Sequence, residues 1–199
     1  MLNTNFNELI DSFIKDKVGI ADHFLSASLA ARLAKNLTAL YDKNLLRPAG
    51  TGTGQVSHDK QVRSDVIYWL DRNHEDEIEN EFFNLMDEFV QFLNLTCYTG
   101  ITGYEFHYTL YDQGSFYKKH LDQFRNNDAR KYSMIIYLNP GWLAADGGEL
   151  CIHHHNGLQN ISPENRKSVF FKSGELEHEV LCTHKPRMSI TGWLKVNPV

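Results

Sequence analysis

Apolar positions follow two regimes along the chain. Residues 5–17 place Phe6, Leu9, Ile10, Phe13 and Ile14 at the spacing of a helix with one buried face. Residues 18–23 lose that period and read as extended. Across 25–46, Leu29, Leu33, Leu37 and Leu40 form a second stripe, with Ser26 or Ser28 near its start as a cap. The stretch 62–70 alternates and is rich in aromatic residues, which predicts a strand. Asp65 sits in it with Arg63 nearby and reads as half of an exposed ion pair of little energetic weight. Residues 75–95 make a third helix, opened by acidic residues that suit its N-terminus, with Phe82, Leu85, Met86, Phe89, Val90 and Phe92 as core. Beyond Thr102 only strand and turn signals remain. Strands are predicted near 103–111, 116–121, 131–138, 148–154, 167–172, 178–182 and 187–196. Asn139-Pro140-Gly141 and Asp146-Gly147-Gly148 mark turns, and Ser162-Pro163-Glu164-Asn165 begins a short turn or helical piece. Short strands in this number after a block of helices predict an α+β fold with a sandwich or jelly-roll core.

At 199 residues and 42% hydrophobic, the chain suits a single domain with a sizeable core. Within it, residues 1–98 form a helical support and 99–199 the β core. A net charge of -5 and a pI near 6.0 give no basic surface for nucleic acid. No apolar run approaches a membrane span, and the N-terminus lacks the regions of a signal peptide. Cys97, Cys151 and Cys182 are an odd, scattered set, best read as reduced thiols in a cytoplasm. The loop 47–61 contains Pro48-Ala-Gly-Thr-Gly-Thr-Gly, the composition of a linker or of a mobile lid. It lacks the Gly-Lys-Ser/Thr of a phosphate-binding loop.

The candidate chemistry lies in the second half. Tyr111 to Asp122 ends in His-x-Asp, and on a strand His120 and Asp122 would point to one face. They supply two thirds of a 2-His-1-carboxylate triad, the set that holds non-haem Fe(II) with open positions. His178, after an apolar run, offers the third ligand. Arg187 follows nine residues later, and its planar fork can grip a carboxylate. Thr183-His-Lys-Pro between them reads as a turn, so 178–182 and 187–195 are expected to form a hairpin that brings His178 and Arg187 together. His153-His154-His155 precedes Asn156-Gly157, a hairpin signal. Neighbouring strand residues alternate faces, so the run reads as an exposed strand end. Trp69 and Trp142 read as core or rim packing.

The order His-x-Asp, His, Arg resembles that of the Fe(II)/2-oxoglutarate dioxygenases, and the segment 55–198 resembles their prolyl 4-hydroxylase branch. The residues that carry the likeness are Val62-Arg-Ser-Asp-Val-Ile-Tyr-Trp, Tyr111 to Asp122, Ile135-Ile-Tyr-Leu-Asn-Pro-Gly-Trp, Gly147-Gly-Glu-Leu, His178-Glu-Val and Arg187-Met-Ser-Ile-Thr-Gly-Trp. The resemblance implies a double-stranded β-helix with N-terminal packing helices. It implies that His120, Asp122 and His178 bind iron, and that Arg187 holds the far carboxylate of 2-oxoglutarate. Tyr137 and Tyr111 fall where the family places phenols that hydrogen-bond the co-substrate, and Trp193 would wall the pocket. Ile135, Leu110 and Ile190 are candidates for an apolar wall. Arg130 and Asp65 match positions at the substrate entrance, where an Arg–Asp pairing is common, and the 47–61 loop would close over a peptide. The implied reaction consumes O2 and 2-oxoglutarate, with ascorbate as reductant, and hydroxylates a prolyl residue in a protein. Rival readings are a nucleic-acid demethylase, an oxygenase of a free amino acid or other small molecule, and a non-catalytic metal-binding jelly roll. Trp193, six residues after Arg187, stands where the demethylases usually carry a second Arg.

Overall fold

The protein is described by a computed structural model over residues 2–50, 61–123 and 128–196. Helix α1 (Leu2–Asp16) leads into strand β1 (Val18–Ala21), and α2 (Ala27–Asp42) into the short β2 (Arg47–Pro48). Strand β3 (Val66–Trp69) and a turn of 3₁₀ helix precede α3 (Glu77–Cys97). The remaining strands are β4 (Gly103–Tyr111), β5 (Tyr117–His120), β6 (Arg130–Tyr137), β7 (Leu150–His154), β8 (Gly157–Ile161), β9 (Ser168–Lys172), β10 (Glu177–Val180) and β11 (Arg187–Lys195). They form a seven-stranded sheet, β1-β9-β6-β11-β4-β3-β2, facing a four-stranded sheet, β5-β10-β7-β8. Every paired strand runs antiparallel. The expected α+β fold with a jelly-roll core is found.

Local chemistry sets the helix starts. Ser26 accepts a hydrogen bond from the Leu29 amide at 3.1 Å, and Asp76 accepts from the Ile78 and Glu79 amides, both at 2.9 Å. The three helices cover the outer face of the large sheet. Phe6 and Phe24 pack on Phe89, which meets Phe170 of β9 there, and the same core takes in Phe106, Ile136, Ile190 and Leu194. A second core, with Tyr111, Tyr137, Leu150, Ile152, Val169 and Phe171, fills the space between the sheets.

Several expectations change. The strand predicted at 62–70 is confined to Val66–Trp69, with Arg63 making an isolated bridge to Tyr117. The Arg63–Asp65 pair is not exposed, since the Asp65 side chain is fully buried and that of Arg63 is 13% accessible. Strand β8 had no alternating signal, because Gly157, Leu158 and Asn160 are exposed. Residues 162–166 form a turn without helix. Strands β10 and β11 do not form a hairpin. Strand β10 pairs with β5 and β7 in the small sheet, whereas β11 pairs with β4 and β6 in the large one. The Thr183–Pro186 turn is an arch between sheets, held by Thr183 Oγ1 donating to the Lys185 carbonyl at 2.7 Å. Most of the 47–61 loop lies outside the described residues.

Candidate active site

The space between the sheets opens into a cavity of ≈ 870 Å³ lined by residues of both. Strand parity decides what faces it. Along β11, Arg187, Thr191 and Trp193 line the cavity, while Ile190 and Leu194 enter the helix-side core. Along β4, His107, Thr109 and Tyr111 face the cavity and Leu110 faces the helices. Leu110 and Ile190 are therefore not its apolar wall; both lie an odd number of residues from a cavity-facing neighbour. Its apolar lining comes from Ile135 of the large sheet and from Leu150 and Val180 of the small one.

His120 and His178 are directly opposed on β5 and β10, with ring centroids 4.3 Å apart. Asp122 is not a strand residue: β5 ends at His120, and the bend at Asp122 turns its carboxylate back between the rings. His120 Nε2 is 3.5 Å from Asp122 Oδ1, and His178 Nε2 is 3.6 Å from Asp122 Oδ2. The three ligand atoms lie within 4.8 Å of one another. Each imidazole is oriented from behind. His120 Nδ1 is 2.8 Å from the Lys118 carbonyl, and His178 Nδ1 is 3.1 Å from that of Leu176. A carbonyl only accepts, so both Nδ1 atoms carry a proton, which leaves the Nε2 of each ring, facing Asp122, as the atom that can ligate a metal. With both rings neutral, two lone pairs and a carboxylate would meet at one point, an arrangement that a cation relieves.

Charge and burial bear on the same point. Burial opposes the Asp122 carboxylate, but His178, His120 and the Ser133 hydrogen bond outweigh it and hold the acid well below the usual range. Ser133 Oγ donates to Asp122 Oδ2 at 2.6 Å and is itself 2.9 Å from Ser173 Oγ. Burial pushes His178 down to about 4, against the pull of Asp122. A β-bulge in β5 puts Tyr117 on the same face as His120, where the rings stack with centroids 3.6 Å apart. Arg63 lies 4.2 Å over Tyr117 and forms a fork to Asp65 at 2.7 and 2.6 Å. The buried Asp65 thus anchors a partly buried stack, Asp65–Arg63–Tyr117–His120, and pairs with Arg63 rather than Arg130.

Arg187 lies deeper in the cavity, 1% exposed, between the rings of Tyr111 and Tyr137 at 5.1 and 4.9 Å. Its Nε donates to the Gly148 carbonyl at 2.7 Å. Arg187 Nη2 and the Tyr137 hydroxyl are buried and without hydrogen-bond partners among the described residues. Burial pushes the phenols of Tyr111 and Tyr137 up, so both stay neutral. Gly148 adopts φ +69°, and a Cβ there would sit 3.0 Å from Arg187 Cδ and from Thr183. Nearer the rim, Arg130 stacks 3.4 Å over Trp193 and pairs with Glu105 at 2.8 Å. Trp69, 46% exposed, and the buried His107 complete that aromatic side, their rings 4.9 Å apart. Trp142 is buried outside the cavity, its indole donating to the Gly147 carbonyl at 3.1 Å. Sequence reasoning missed Ser133, Tyr117, His107, Leu150 and Val180; strand parity signalled three of them, Ser133 with Ile135 and Tyr137, His107 with Tyr111, and Val180 with His178.

The chain belongs to the 2OG-Fe(II) oxygenase superfamily, whose family model matches residues 106–195. It is similar to a crystal structure of a prolyl-4-hydroxylase from Pseudomonas putida, with 32% identity, a TM-score of 0.86, and 97% of this chain and 100% of that chain covered. It shares its fold with a prolyl hydroxylase from Trichoplax adhaerens in complex with a hypoxia inducible factor peptide fragment, at 22% identity and a TM-score of 0.86, with 98% of this chain and 91% of that chain covered. A hypoxia-inducible factor prolyl hydroxylase of Caenorhabditis elegans is 28% identical over 187 residues, which is 87% of this chain and 26% of that protein. The chain thus spans about a quarter of the length of that curated relative. Among the described residues no helix is long and apolar enough to cross a membrane.

Proposed function

We propose that the protein is an Fe(II)/2-oxoglutarate-dependent dioxygenase that hydroxylates a prolyl residue in a protein or peptide. The observation that carries this is the pairing of two incomplete sites in one cavity. Two imidazole nitrogens and a carboxylate aim at a common point, and deeper in lie a buried guanidinium and a phenol that each keep an N–H or O–H without a partner among the described residues.

His120, Asp122 and His178 would hold the iron through Nε2, Oδ and Nε2. Arg187, with the Tyr137 hydroxyl, would hold the distal carboxylate of 2-oxoglutarate, since that carboxylate completes both unpartnered donors. Bound Fe(II) and 2-oxoglutarate supply the oxidising chemistry, in which O2 is consumed, succinate and CO2 are released, and one oxygen atom enters a C–H bond. The protein supplies orientation and dryness. The Lys118 and Leu176 carbonyls fix the imidazole tautomers, and Ser133 fixes the carboxylate. Tyr117 holds the His120 ring flat against its own, which leaves that ring one orientation. Ile135, Leu150 and Val180 keep water from the co-substrate's methylene carbons. The substrate would enter over the rim of Arg130, Trp193 and Trp69, with Asp65 acting from beneath through Arg63. The aromatic faces of Trp193 and Trp69 suit a proline ring, and an acidic chain with Trp193 six residues after Arg187 does not favour a nucleic-acid substrate. Ascorbate would serve as reductant and the cytoplasm as the site of action.

The test is 2-oxoglutarate turnover by the Fe(II)-loaded protein on proline-containing peptides. A mass gain of one oxygen on proline, absent with His178→Ala, supports the proposal. Turnover that responds only to free amino acids or small metabolites would remove the peptide claim.

A further inference from the structure

A second set of metal-binding side chains lies on the opposite face of β10. Cys151, His153 and Glu179 each present one donor atom, and the three lie within 4.8 Å of one another. The sheet register brings them together: Cys151 is directly opposite Glu179, and His153 opposite Glu177. Cys151 and His153 are two apart on β7 and share a face, which Glu179 joins across the ladder. Leu150, Ile152 and Val180 alternate with them and enter the core between the sheets. His178 likewise faces inward, so the two donor sets share β10 but no residue. His153 Nε2 is 2.8 Å from Glu179 Oε1, and the two side chains are 25% and 29% exposed. Cys151 is a free thiol beneath them, 2% exposed. Of the other histidines in the run, His154 is engaged by Gln159 at 2.9 Å and His155 lies in the exposed turn.

We infer that Cys151, His153 and Glu179 form a second cation site that takes a divalent metal of the Zn²⁺ class. Sulfur, imidazole and carboxylate together select a borderline-soft ion over Mg²⁺ or Ca²⁺. Zinc–ligand lengths of about 2.0–2.3 Å put tetrahedral ligand atoms roughly 3.3–3.7 Å apart, so the present spacing closes with small rotations of the two partly exposed side chains. The strand ladder holds the donors in place before metal arrives, and solvent supplies the remaining position. The bound ion would clamp β7 to β10 and brace from behind the strand that carries His178. This inference is independent of the reaction proposed for the inner site, which uses none of the three residues.

Cobalt(II) titration of the full chain under reducing conditions tests it, because cobalt reports sulfur ligation by a thiolate charge-transfer absorption. His120, Asp122 and His178 contain no sulfur, so they bind cobalt without that band. The wild type should take up two equivalents with a thiolate band that zinc removes. Cys151→Ser should take up one equivalent and lose the band, while His120→Ala should keep it. The double change Cys97→Ser, Cys182→Ser should leave it intact. Should Cys151→Ser fail to fold, His153→Gln and Glu179→Gln, at partly exposed positions, should weaken the band's cobalt affinity at least roughly tenfold. No band at saturating cobalt, a band that survives Cys151→Ser, or one lost with Cys97 and Cys182 would overturn the site and leave His153–Glu179 as an ion pair. Failure of the triad would appear separately, as one equivalent bound with the band present.

Discussion

Replacing Arg187 with methionine should separate the cost of the guanidinium in the ligand-free protein from its worth in binding. The side chain is 1% exposed, with one hydrogen bond from Nε to the Gly148 carbonyl at 2.7 Å and a buried Nη2 without a partner among the described residues. An unsatisfied buried donor costs about 1–3 kcal/mol, and the lost Nε bond to a neutral carbonyl is worth about as much. Methionine fills a similar length between the Tyr111 and Tyr137 rings without a charge to desolvate. The two terms nearly cancel, so ligand-free stability should change by no more than about 1 kcal/mol, or roughly 2–4 °C in Tm for a chain of this size. Binding is different. Truncating one partner of a buried, hydrogen-bonded charge pair costs about 2–5 kcal/mol, which weakens 2-oxoglutarate roughly 30-fold to several-thousand-fold. Thermal unfolding with Mn²⁺ in the triad, with and without 2-oxoglutarate, reads both. At a hundred times the wild-type Kd the ligand adds about 2.7 kcal/mol to the wild type, and it should add no more than about 0.9 kcal/mol to the variant. Arg187→Lys keeps the charge but not the fork and should fall between. A variant that keeps the full ligand-induced shift would refute the role given to Arg187, and one that unfolds would refute the balance of terms.

Three further outcomes follow from the same geometry. His107 is buried and held down to about 4, burial being the main cause, so its share of stability is intact above the unfolded value near 6.5 and is lost as pH falls toward 4; the loss is on the order of 3 kcal/mol, and His107→Gln should make that acid limb shallower in urea titrations, with His178 supplying the part that remains. Ser133→Ala removes the 2.6 Å hydrogen bond to Asp122 and should weaken metal binding by about 10- to 100-fold with little change in fold; an unchanged affinity in calorimetry would count against it. Gly148→Ala combines φ +69° with a Cβ 3.0 Å from Arg187 Cδ, so it should cost about 1–3 kcal/mol in denaturant and also weaken 2-oxoglutarate.

The helices and most strands were legible because their burial is periodic. Leu29, Leu33 and Leu37 are buried as the stripe requires, and Ser26 caps where the stripe begins. The misreadings have physical causes. His-x-Asp suggested two pleat positions, yet the strand ends at His120 and a bend delivers Asp122. The Thr183–Pro186 composition fits a hairpin and an arch equally, because turn chemistry reports the local reversal and not which sheet receives the next strand. Leu110 and Ile190 failed on parity, which is readable once Tyr111 and Arg187 are placed in the cavity. The buried Arg63–Asp65 fork was hidden because its burial comes from Tyr117 and the Gly50 carbonyl, distant in sequence. The outer cluster of Cys151, His153 and Glu179 depends on the register of β7 against β10, which no local pattern fixes.

The measurement that bears most directly on the proposed reaction is succinate release by the Fe(II)-loaded protein under ¹⁸O2, with ascorbate and protein fractions from its own source. A fraction should stimulate turnover, with one labelled atom in succinate and one on a proline of a protein in that fraction. Holoprotein that binds Fe(II) and 2-oxoglutarate yet releases no succinate with any fraction, or that labels no proline, would contradict it.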